Sequence, residues 1–260
     1  MMSKPSFALL MVASLMATAP ALQAQRGAPG GGRGAQPAAA AAPVEGPFDL
    51  TGYWVSIVSD EWRYRMLTPP KGNVDYVPVN QAGRRLAQEW DPAKDTAAGE
   101  ACKAYGPVGL MRLPGRLLVS RQDATTLKIE ADNGAQVRTL HFGNNQAAPQ
   151  APSLQGYSAA QWEVLGGGRG APGQARFGQL KVVTTRMTPG YLRKNGVPYS
   201  ADAVLTEHFL HLADEDGTRY LAVTAVLDDP TYLQQPWVRT SQFRRQADAK
   251  GWNPTPCTTP

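Results

Sequence analysis

The chain has 260 residues, with 26 Lys and Arg against 21 Asp and Glu, for a formal charge of +5. The cations are scattered singly or in pairs such as Arg84-Arg85 and Arg244-Arg245. They lack the basic stripe or aromatic-basic alternation that nucleic-acid binding needs, so nucleic acid is not an expected partner. The two cysteines, Cys102 and Cys257, have neither a Cys-x-x-Cys spacing nor a nearby His, which argues against a thiolate metal site.

Lys4 provides a positive start, Phe7 to Met16 an apolar run, and Ala17, Ala19, Ala21 and Ala24 the small residues that signal peptidase prefers, so residues 1–24 read as an export signal. Cleavage is expected after Ala24, with Ala21 as the alternative. Neither cut leaves a Cys at the new terminus. The apolar stretch is shorter than the roughly 20 residues of a membrane span, so no transmembrane anchor is expected and the mature protein is placed in the periplasm or outside the cell. Losing Lys4 would leave a charge of +4. In an oxidising compartment Cys102 and Cys257 read most simply as one disulfide, for which loop entropy gives roughly 4 to 5 kcal/mol.

Residues 25–47, with Gly30-Gly31-Gly32, Pro29, Pro37, Pro43 and the alanine run 38 to 42, have little to bury and read as a flexible tether. Residues 48–260 are enough for one sizeable core, long for a small barrel, and are expected to form one β-barrel domain with insertions. Tyr53 to Val58 and Trp62 to Leu67 read as strands, the second stopped by Pro69-Pro70. Asn80 caps an expected helix over Gln81 to Trp90, and a second brief helix is expected over Ala97 to Ala104. A meander follows: 116 to 121, 126 to 130, 136 to 142 across Asn133-Gly134, then 161 to 165, 179 to 187, 203 to 212, 220 to 227 and 237 to 244. About eight to ten evenly spaced strands favour an all-β, mainly antiparallel, up-and-down barrel.

Gly52-Tyr53-Trp54 on the first strand resembles the Gly-x-Trp of lipocalin-like (calycin) barrels. The resemblance implies a buried Trp54 plugging the barrel base under an arginine of a late strand, Arg239 or Arg244. The chain also resembles a group of exported bacterial proteins of unknown function that start Asp-Leu-Thr/Ser-Gly-x-Trp. The likeness extends through Trp162-Glu163, Leu180 to Thr185, Leu205 to Phe209, Val226 to Pro230 and Pro236-Trp237. It implies no activity.

Alternation puts Glu207 on the inward face with Leu205 and Phe209, where a carboxylate is costly without a partner. Two readings stay open: a structural ion pair with Arg186 or Arg239, or a catalytic acid/base in a cavity. His208 and His211 fall on opposite faces of their strand, and with His141 they form no ligand spacing, so no metal and no cofactor are expected. Asp60-Glu61 and Asp228-Asp229 supply carboxylates at strand ends, the latter pair entering a turn at Asp229-Pro230. The loop 190 to 196 reads as a polar turn or as a ligand-contacting lid with Tyr191 and Arg193 at its mouth. Trp62, Trp162 and Trp237 are expected in the core rather than on a ligand. No Gly-x-Ser-x-Gly elbow occurs, and Gly166 to Gly170 lacks the ending of a phosphate loop. The expected partner is a small, partly apolar molecule contacted by Arg186, Tyr191, Arg193, His208 and Arg239. The competing expectation is a cofactor-independent lyase, isomerase or hydrolase acting through Glu207.

Overall fold

The computed structural model describes residues 45–143, 151–165 and 177–259, all within a compact unit spanning 39–260. The expected signal, the tether up to residue 44, and most of the loops at 143 to 155 and 166 to 178 lie outside the described residues. Among the described residues eleven strands follow one another: β1 (Gly52–Ile57), β2 (Arg116–Asp123), β3 (Thr126–Ala131), β4 (Gln136–Phe142), β5 (Tyr157–Leu165), β6 (Phe177–Thr185), β7 (Gly190–Tyr191), β8 (Pro198–Tyr199), β9 (Val204–Ala213), β10 (Arg219–Asp228) and β11 (Trp237–Gln246). Strands β7 and β8 form a separate ribbon, and the other nine close into a barrel in which each strand pairs with its neighbours in sequence and β1 meets β11.

The expected all-β barrel is present, with one departure from strict up-and-down alternation. A closed ring with an odd number of strands, joined in chain order, cannot alternate direction at every junction. The parallel junction falls between β4 and β5, with Leu140 opposite Ser158. Parallel neighbours need a crossover of a dozen or more residues, and this is where the long 143 to 156 connection lies.

Inside the barrel the two-residue period holds. Leu117 and Val119, Arg138, Leu140 and Phe142, Leu180 and Val182, Leu205, Glu207 and Phe209, Leu221 and Val223, and Ser241 and Phe243 are buried. One apolar cluster fills the barrel around Trp54, Phe142, Phe209 and Phe243. A second joins Leu205, Leu227 and Trp237 at one end to Val74, Val77 and Val79, to Val108 and to Leu192, Val197 and Tyr199 of the ribbon. The insertion between β1 and β2, together with the ribbon, therefore caps that end of the barrel.

The insertion departs from its expected elements. Residues read as a strand form helix α1 (Trp62–Met66). A barrel closed on itself has no free edge for a further strand, and the segment satisfies its backbone locally instead. Helix α2 (Gln81–Glu89) forms as expected, and its Asn80 cap accepts from the Gly83 amide at 3.0 Å. The helix expected over 97 to 104 is replaced by α3 (Pro92–Ala97), a 3-10 turn at Lys103–Tyr105 and α4 (Pro107–Leu110). Proline suits the first helical turn, as at Pro92 and Pro107, and Asp91 caps α3 by accepting from Ala93 N at 3.0 Å. Asn80→Ala should lower stability by about 1 kcal/mol in urea denaturation, because one amide at the start of α2 loses its acceptor.

Trp54 is fully buried, its indole N–H donating to the Leu50 carbonyl at 2.9 Å. The arginine over its ring is Arg245, at 5.3 Å from the centroid, and not Arg239 or Arg244. Strand parity is the reason: β11 places Arg245 opposite Trp54, turns Arg244 outward, and carries Arg239 to the other end of the inward face. Gly52 has φ 111°, and a Cβ there would collide with the Arg245 guanidinium, so the glycine of Gly-x-Trp makes room for the arginine.

Cys102 and Cys257 form a disulfide. It holds the C-terminal segment beside the insertion, where Thr258 N also donates to the Tyr105 hydroxyl at 3.0 Å and Thr255 N to the Asp132 carbonyl at 2.8 Å.

Candidate functional site

Glu207 lies inside the barrel and is fully buried, paired with Arg138 of β4. Arg138 Nη1 donates to Glu207 Oε1 at 3.1 Å and Nη2 to Oε2. Nε donates to Ser158 Oγ at 3.1 Å, and Nη2 also to Thr184 Oγ1 at 2.8 Å. Charge is matched by charge and the remaining donors by hydroxyls, the arrangement that makes a buried pair tolerable. On β9, Glu207 falls between Leu205 of the end cluster and Phe209 of the barrel cluster, so the pair sits at the seam between the two. The sequence pointed to Arg186 or Arg239 as its partner. Arg186 is instead exposed just past the end of β6, and Arg239 is engaged elsewhere.

Arg239 belongs to a second charged group at the capped end of the barrel, centred on Glu61. The Glu61 carboxylate accepts from Arg112 Nη2 at 2.6 Å and from Arg239 Nε at 3.0 Å, and Arg193 Nη2 lies 3.7 Å from Oε1. Arg112 and Arg239 also lie on Trp237, at 4.9 and 5.0 Å from its ring. Arg65 of α1 joins them, donating through Nε to the Arg112 carbonyl at 2.8 Å and through Nη1 to the Ile57 carbonyl at 3.3 Å. Glu61 itself has φ 49° and precedes α1. Left-handed backbone is uncommon for a non-glycine residue, and here it accompanies a carboxylate set between three guanidiniums.

Three arginines thus surround one well-enclosed carboxylate, and Arg65 lies nearer Asp60 beside it. Burial by itself would raise the Glu61 pKa, but Arg112, Arg239 and Arg193 together hold it below its ordinary 4.5. Burial, with Arg112 and Arg239 nearby, lowers Arg193 to about 10, Glu61 pulling the other way. Burial, then Arg112, lowers Arg65 to about 10. Both remain cationic at neutral pH, held in surroundings that disfavour their charge. A carboxyl whose folded pKa is depressed contributes stability above its unfolded value and loses it as pH falls through the folded one. Urea midpoints should therefore fall as the pH drops below 4.5, and Glu61→Gln should flatten that part of the profile.

Arg193 is the least satisfied member. It is 4 % exposed, its guanidinium lies 4.4 Å from the Tyr64 ring centroid, and among the described residues none of its three side-chain nitrogens has a hydrogen-bond partner. Arg65 Nη2 is likewise without one. The sequence holds Arg193 there through the turn 193 to 196, closed by Gly196 N donating to the Arg193 carbonyl at 3.2 Å. Gly196 has φ 79°, and a Cβ there would strike the Trp90 ring. Asn195 fastens the same turn to the insertion, donating to the Pro70 and Asn73 carbonyls at 3.0 and 2.8 Å.

Arg65, Arg112, Arg193 and Lys194 line a recess of about 300 Å³ together with Tyr64, Met66, Leu67, Pro69, Leu113 and Leu192. A second groove, of about 380 Å³, is walled by Trp90, Tyr191, Tyr199 and Tyr232. Its inner carboxylate, Asp95, is already engaged, accepting from Trp90 Nε1 at 2.8 Å and from the Tyr191 hydroxyl at 2.9 Å. A wider, open groove lies beside α1 between Trp62, Tyr76 and Arg239. The first recess alone of the three sets unsatisfied cations beside an apolar wall.

Of the residues the sequence singled out for a ligand, only Arg193 lines this recess, and Arg239 lines the open groove beside α1 instead. Tyr191 serves Asp95, Arg186 lies at a strand exit, and His208 faces outward with Nδ1 4.0 Å from Glu163. Asp229 accepts from Ser200 N and Oγ at 2.8 and 2.7 Å, and from Thr231 N at 3.2 Å across the turn it was expected to form. Trp62 is 56 % exposed, against its expected core place, whereas Trp237 is buried and Trp162 packs on Phe48 and Phe142. Among the described residues no three His, Cys, Asp or Glu side chains come together as a metal group, and no helix is long and apolar enough to cross a membrane. Arg65, Arg112 and Tyr64 were not singled out. One signal for them was present: Arg112 interrupts the apolar run from Val108 to Leu113, and a lone cation in such a run marks a buried charge needing a partner.

Comparison with known protein families, with characterised proteins and with solved structures finds no match to this chain.

Proposed function

We propose that the protein is an exported binding protein for a small, partly apolar molecule, held in the recess beside α1 rather than between the barrel walls. The observation that carries this reading is the recess of about 300 Å³ whose apolar side, from Met66 and Leu67 to Leu113 and Leu192, faces buried guanidiniums. Pockets for small ligands combine apolar lining with placed polar groups, and this recess sets apolar side chains beside several cations. The barrel interior offers less: its inward positions carry large, enclosed side chains, and Glu207 is held on both oxygens by Arg138. A general acid or base must reach the proton it moves, which disfavours turnover at Glu207. Export, with residues 1–24 as signal and 25–47 as tether to a single domain, belongs to the same proposal and rests on the sequence pattern and on a disulfide suited to an oxidising compartment.

The test is a ligand screen on the purified mature protein by two-dimensional NMR. Binders should shift the resonances of Leu113, Leu192 and Lys194 first. Shifts confined to barrel-interior residues such as Leu140 and Phe209 would overturn the placement.

A further inference from the structure

We infer that the recess selects an organic monoacid: an apolar body lying against Met66, Leu67, Leu113 and Leu192, ending in a carboxylate received by Arg193. The inference rests on the binding reading above and adds the chemistry of the ligand's polar end. Three observations lead to it. The group around Glu61 holds more cations than anions, since Arg65, Arg112, Arg193 and Arg239 face two carboxylates, the enclosed Glu61 and the exposed Asp60 beside it. Within it, Arg112 and Arg239 already donate to Glu61, whereas Arg193, at 3.7 Å, is beyond hydrogen-bond distance and has no partner for any of its nitrogens among the described residues. Arg193 also lines the recess, with the apolar wall beside it.

A buried guanidinium without acceptors is an unfavourable state that an arriving anion relieves, and its planar fork matches the two oxygens of a carboxylate. One fork of Arg193 takes both oxygens of a carboxylate, and Arg65 Nη2 supplies a further free donor nitrogen. The route to the fork is past Tyr64, whose ring lies over Arg193 and whose hydroxyl makes one long hydrogen bond, 3.5 Å to Asp75. That ring also packs edge-on against Tyr76 at 5.6 Å, and turning it aside opens the guanidinium nitrogens to the recess that Arg193 lines.

The experiment compares octanoate, 1-octanol and octyl phosphate by titration calorimetry at pH 7, on wild-type protein and on Arg193→Met. Wild type should bind octanoate at least tenfold more tightly than 1-octanol, and more tightly than octyl phosphate. Raising NaCl from 20 to 500 mM should weaken octanoate several-fold and leave 1-octanol unchanged. Arg193→Met should remove the preference for the acid while keeping the alcohol's affinity. Equal affinities of wild type for octanoate and 1-octanol would overturn the carboxylate assignment and leave the apolar recess standing as a binding site. Tighter binding of octyl phosphate would overturn it in favour of a dianion. No binding of any of the three would overturn both readings. The wild-type comparison and its salt dependence decide the question even where Arg193→Met fails to fold.

Discussion

Glu207→Gln is expected to destabilise the protein by about 3 to 5 kcal/mol, the loss seen when one partner of a buried ion pair is removed and the other charge is left unmatched. Arg138 is enclosed, and Ser158 and Thr184 can satisfy its hydrogen bonds but not its charge. The second half of the expectation separates structure from chemistry. Replacing both partners, Arg138→Met with Glu207→Leu, should restore most of the stability, because well-packed apolar side chains are often as stable as the pair they replace. A double-mutant cycle in urea reads this as a coupling energy of the same order as the single losses. Should the double variant be no more stable than either single one, the seam between the two apolar clusters needs these polar groups for a reason beyond charge balance. Should Glu207→Gln cost less than about 1 kcal/mol, the pair is not structural, and acid/base work at Glu207 regains force.

The disulfide carries the next largest expectation. Cys102 and Cys257 are separated by 155 positions, and a cross-link closing a loop of that size restricts the unfolded chain by roughly 4 to 5 kcal/mol in the loop-entropy account. The folded state changes less on reduction, because Thr255 and Thr258 hold the tail by their own hydrogen bonds. Cys102→Ser with Cys257→Ser should accordingly lower the unfolding free energy by up to that amount while the circular dichroism of the barrel stays the same. Ligand affinity should fall as well, since Cys102 leads into the turn whose Ala104 lines the recess. A stability loss below about 1 kcal/mol would show that the unfolded chain keeps the two regions together without the bond.

How much of this was legible from residue order differs from element to element, and the difference follows interaction range. β9 is an instance of success: alternation over Leu205, Glu207 and Phe209 depends on neighbours two positions apart, and the inward direction of Glu207 follows from it. Helix α2 was readable for a similar reason, since Asn80 acts on an amide three residues away. The partner of Glu207 was not readable. Arg138 lies 69 positions earlier, and the register that joins them runs through β5 and β6. Trp62 to Met66 misled because Trp62 and Tyr64, two positions apart, suit a strand locally, and only barrel closure removes the edge such a strand would need. The arginine over Trp54 was missed by one residue, and in a strand one residue exchanges inside for outside.

By itself the sequence determined what short-range chemistry can carry: alternating strands, the Asn80 cap, and a cysteine pair with only each other to bond. Tertiary structure alone decided the odd strand number and its parallel junction, the seating of Arg138 on Glu207, and the gathering of Arg65, Arg112, Arg193 and Arg239 around Glu61. The physical reason is that charge and burial act through space. Glu61 and Arg239 are 178 positions apart in the chain and 3.0 Å apart in the fold, and no local preference of either residue encodes that distance.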